Sequence, residues 1–64
     1  MSAHLSRFDR ESIDEILRGH GDWYSARLLR LIHKADDWNR ARLAAVYPEH
    51  VAAVRSWEVG RDEA

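Results

Sequence analysis

Apolar side chains recur along the chain in three blocks, each at helical spacing. In the first, Ile13, Ile16 and Leu17 follow an i, i+3, i+4 pattern, with Asp14, Glu15 and Arg18 turned outward. The second block, Asp22 to Tyr47, contains no Gly or Pro and is rich in Leu, Ala and Arg, which predicts one long amphipathic helix. At 100° per residue, Tyr24, Leu28, Leu29, Leu31, Ile32, Ala35, Trp38, Leu43, Val46 and Tyr47 occupy about half of its circumference. The third block, Val51, Val54 and Trp57 with Ala52 and Ala53, gives a short stripe able to fold back on the second.

Punctuation residues set the expected boundaries. Asp9 is an expected N-cap, with Phe8 and Ile13 at the spacing of a hydrophobic staple. Gly19-His20-Gly21 forms an interhelical turn, Asp22 caps the long helix, Pro48 ends it and opens the next, and Gly60 stops that one. The expected fold is therefore a single all-α domain over 1–64: short helix, long central helix, short helix. The helices span Asp9 to Arg18, Trp23 to Val46 and Pro48 to Trp57, and the ends at 1–7 and 61–64 are flexible.

The central helix would be roughly 40 Å long, too long for two short stripes to cover. Completion of the helical bundle by self-association, as a homodimer, or by contact with another protein follows as an expectation, which makes the chain a small protein-interaction module. The expected partner-binding residues are Tyr24, Leu28, Leu31, Ile32, Ala35, Trp38, Asn39 and Arg42. Trp38 beside Arg42 has the composition of a binding hot spot, and a polar network of Asp36, Asn39, Arg40 and Arg42 would fix register within an apolar contact. Of the three Trp, two are expected in the core.

Composition narrows the function classes. At 64 residues the core is small, and the absence of Cys removes disulfide and thiolate-metal staples. Acidic residues number 11 and basic residues 10, so no global field recruits nucleic acid or an anionic membrane. Nine of the ten basic residues are Arg, consistent with a GC-rich coding genome. No apolar run has the length of a secretory signal or a membrane span, so the expected location is cytoplasmic.

Candidate chemistry is sparse. His4, His20, His33 and His50 form no i, i+4 pair, so neither a metal nor a cofactor is expected. The carboxylate pairs Asp14-Glu15 and Asp36-Asp37 diverge on a helix, and no Ser has a positioned His and acid, so the chain reads as a non-enzyme. Arg27, Arg30, Lys34 and Arg40 offer an alternative function, phosphate contact by a nucleic-acid-binding regulator. A third possibility is a structural subunit of a larger particle.

From Gly21 to Gly60 the sequence resembles short helical open reading frames of actinobacterial genomes and their phages. The shared pattern is Trp-x-x-x-x-Leu-Leu-Arg-Leu-Ile from Trp23 to Ile32, then Lys34-Ala35-Asp36, Asn39-Arg40-x-Arg42-Leu43, Pro48-Glu49-x-Val51 and a late Trp57. The resemblance implies a phage or mobile-element context and carries no activity.

Overall fold

The computed structural model describes residues 4–63, with side chains through residue 60; the expected flexible residues 1–3 and 64 lie outside it. The chain is all-helical over these residues. Five helices follow one another: α1 (Arg7–Glu11), α2 (Ile13–Leu17), α3 (Tyr24–Lys34), α4 (Asp37–Val46) and α5 (Pro48–Glu63).

Order begins earlier than Phe8. Ser6, not Asp9, caps α1, its Oγ accepting the Asp9 backbone N–H at 3.0 Å, and Leu5 is already buried. Phe8 does not form the expected staple: it is 63% exposed and lies against Trp23, ring centroids 5.6 Å apart. The first expected helix is two short ones joined at Ser12, followed by a turn in which Gly19 (φ 112°) and Gly21 (φ 91°) take the left-handed conformation. Arg30 fastens that turn, donating to the carbonyls of Ile16 at 3.0 Å, His20 at 2.9 Å and Gly21 at 2.5 Å. Asp22 does not cap α3; Trp23 holds that position without a side-chain cap.

The single central helix from Trp23 to Val46 is two helices. Ala35 leaves helical conformation (ψ 144°), and Asp36 caps α4 by accepting the Asn39 N–H at 2.8 Å. The physical reason lies in Lys34-Ala35-Asp36-Asp37. A continuous helix would leave an Asp in its interior where it caps nothing, whereas a new start there uses its carboxylate as a cap. The break also leaves His33 and Lys34 at the negative end of α3 and Asp37 at the positive end of α4. Arg40 completes the corner, its Nη2 donating to the carbonyls of Ile32 at 3.1 Å and His33 at 3.2 Å in the last turn of α3; the Ile32 carbonyl also accepts the Ala35 N–H at 3.2 Å.

Pro48 does open the next helix, but α5 runs through Gly60 to Glu63 instead of stopping at Trp57. It packs on α2, α3 and α4, and the core is Leu5, Ile16, Leu17, Ala26, Leu28, Leu29, Ile32, Val51 and Val54. Ile16, Leu29, Ile32 and Val54 are sealed from solvent, so truncating Ile32 to Ala would cost about 2–5 kcal/mol.

Candidate interaction surface

The corner at Ala35-Asp36 returns the end of α4 toward the start of α3. The Tyr24 hydroxyl at the start of α3 and the Tyr47 hydroxyl just past α4 meet at 2.6 Å, and this hydrogen bond raises the Tyr47 pKa. Helix α4 has no buried residue. Its inner side rests on Leu43, Ala44 and Arg40, each half-buried, and its outer side exposes Trp38, Arg42 and Ala45 at i, i+4, i+7 spacing. Trp38 is 73% exposed, an unusual setting for so large an apolar ring. On one flank of α4 an open groove of about 580 Å³ runs between α3 and α4, lined by Leu31, Lys34, Ala35, Asn39, Arg42 and Leu43.

Behind this surface a polar clamp fixes the corner to α5. Arg40 Nη1 donates to Glu58 Oε1 at 2.7 Å and Nη2 to Oε2 at 3.0 Å, while His33 Nδ1 lies 2.6 Å from Oε2. The Arg40 hydrogen bond, reinforced by His33, holds the Glu58 carboxyl below the usual carboxylate range against the opposing effect of burial; Glu58 in turn raises the Arg40 pKa. A second cluster gathers around buried Asp9, which accepts from Trp23 Nε1 at 3.0 Å and from the Ser25 hydroxyl. His50 is buried too, its Nδ1 unpartnered, and burial lowers its pKa despite the nearby charges of Asp9 and Glu49.

The eight residues expected to meet a partner divide in the structure. Leu28 and Ile32 belong to the chain's own core and cannot serve that purpose, because the turn of α2 and the return of α5 cover that side of α3. Tyr24, Leu31, Trp38, Asn39 and Arg42 are exposed and Ala35 is half-buried; Leu31, Ala35, Asn39 and Arg42 share the groove. The expected network of Asp36, Asn39, Arg40 and Arg42 does not assemble, since Arg40 turns inward to Glu58 and Asp36 caps the helix. Trp57 is half-buried against the core with its N–H on Asp14 at 3.0 Å, whereas Trp23 stays at the surface, held by Asp9. Of the basic stripe, Arg30 and Arg40 serve the fold internally, leaving Arg27 and Lys34 exposed.

Sequence reasoning missed Glu58 altogether, and it missed the burial of Asp9, expected as an N-cap, and of His50. The S-x-x-D spacing of Ser6 and Asp9 and the adjacent acids of Asp36-Asp37 were the available signals for the caps; nothing local in the sequence pairs Arg40 with a residue 18 positions away. Among the described residues no helix is long and apolar enough to cross a membrane, and no three His, Cys, Asp or Glu side chains gather as metal ligands. No protein-family model matches the chain, and neither a curated protein nor a solved structure matches it.

Proposed function

We propose that the chain is a small non-enzymatic protein-interaction module whose contact surface is the outer side of α4 with the adjoining groove, self-associating through the Trp38 side of α4 or receiving another protein. The observation that carries this is a ten-residue helix with no fully buried residue, tied to α5 by Arg40 and exposing Trp38 at 73%. Only half-buried Leu43 and Ala44 tie α4 to the core by apolar contact, so the Arg40 and Glu58 clamp behind it holds that face in place at a cost in polar burial. Tyr24, Leu31 and Val46, all more than half exposed, extend the apolar surface around it. A phage or mobile-element setting belongs to the same proposal and rests on the resemblance of Gly21 to Gly60 alone.

A concentration series in light scattering tests the self-associating form. Mass should rise with concentration in the wild type, and Trp38→Ala should shift that rise to higher concentration with helical content unchanged. A mass that stays that of one chain throughout would overturn it.

A further inference from the structure

The groove between α3 and α4 carries one sign of charge. Arg27, Leu31 and Lys34 share a face of α3 at i, i+4, i+7 spacing, α3 contains no acidic residue, and Arg42 approaches from α4. Arg27, Lys34 and Arg42 are exposed, and none has a side-chain hydrogen bond or ion pair among the described residues. Neither acid nearest in sequence lines the groove: Asp36 caps α4 by accepting the Asn39 N–H at 2.8 Å, and Asp37 lines the opposite flank of α4 with Arg40, Ala41 and Ala44. The floor between the cations is apolar, made by Leu31, 56% exposed, with half-buried Ala35 and Leu43.

A second copy of the chain is a poor occupant here. Two copies joined by a two-fold axis through this groove would set Lys34 and Arg42 against the same cations, a like-charge contact that opposes docking. Phosphodiester backbone would meet the cations but leave Leu31 and Leu43 without an apolar counterpart. Granting the interaction-module function proposed above, we infer that the groove takes an acidic amphipathic helix of a different protein. Its apolar anchors seat on Leu31, Ala35 and Leu43, and carboxylates flanking them meet Lys34 and Arg42.

The test uses the whole chain, isotope-labelled and followed by its amide resonances, with three probes. These are a synthetic helical peptide with Leu on one face and Glu beside it, its twin with Lys for each Glu, and a short DNA duplex. The acidic peptide should shift the amides of Leu31 to Ala35 and Asn39 to Leu43 and bind at least about tenfold tighter than the basic twin. In Lys34→Glu/Arg42→Glu the preference should reverse, a gain of binding that also shows the variant is folded. Equal affinity for the two peptides, no binding of either, or displacement of the acidic peptide's shifts by the duplex would overturn the inference. Self-association that perturbs these same amides and is lost in the double variant would overturn it as well. If the peptides fail while association dependent on Trp38 persists, this inference alone falls; a chain that neither associates nor binds any probe loses the module function too.

Discussion

Arg40 on α4 grips Glu58 on α5 with two hydrogen bonds of 2.7 and 3.0 Å while the same guanidinium donates to the carbonyls of Ile32 and His33 at the end of α3. One side chain thus ties three helices at the point where the central stretch breaks. Arg40→Ala would leave Glu58 with His33 alone and expose two helix-end carbonyls to water. We expect it to lower unfolding free energy by about 2–3 kcal/mol in urea titration. A change below about 0.5 kcal/mol would remove the clamp from the account.

The same pair sets an acid limit. Because Glu58 is held below its ordinary 4.5 in the folded chain, its contribution is present above that value and is lost as pH falls through the lower, folded one. Glu58→Gln should therefore be less stable than wild type at neutral pH, with the difference shrinking toward pH values below the usual carboxylate range. Urea midpoints collected across that range check it; a constant gap would contradict it.

His50 works at milder pH. Its imidazole is 3% exposed with Nδ1 unpartnered, and burial lowers its pKa below 6.5, so the unfolded chain takes up a proton that the folded chain refuses. Stability from this group is full above 6.5 and declines as pH falls through it. His50→Leu should flatten the stability profile below 6.5, measured by thermal unfolding at several pH values.

Gly21 is required by two constraints at once. Its φ is +91°, and a Cβ there would come 2.3 Å from Cζ3 of the Trp23 ring. Gly21→Ala should displace that ring, weaken the Trp23 N–H bond to Asp9 and cost more than about 1 kcal/mol, with a change in tryptophan emission. Gly19→Ala has open space for the Cβ and carries only the backbone strain of φ +112°, so the emission should barely change.

Helix type was legible from the chain, and Ile16, Leu17, Leu29, Val51 and Val54, apolar at helical spacing, do bury; Leu28 and Ile32, on the same stripe but expected at a partner, bury with them. The corner at Ala35-Asp36 was not read. Nothing in that stretch is Gly or Pro, and apolar periodicity carries across it nearly in phase, so a cap competing with helix propagation had to be weighed against a favourable composition. The break changes which residues face outward: Ile32 closes into the chain's own core, while Trp38 is left 73% exposed. Long-range polar pairs such as Arg40 with Glu58 and Asp9 with Trp23 depend on how helices return to one another, which periodicity does not encode. Gly60 failed as a stop because α5 passes through it in helical conformation, where Gly costs only about 1 kcal/mol relative to Ala.

The most direct test of the outer face of α4 as an interface is sedimentation equilibrium on the wild type and Trp38→Ala, carried to concentrations of about 1 mM. The expected result is reversible association of the wild type that the substitution weakens by more than about 1 kcal/mol, with unfolding free energy unchanged within about 0.5 kcal/mol. A Trp38→Ala variant that associates just as strongly would contradict it, and a wild type that remains one chain at every concentration would contradict its self-associating form.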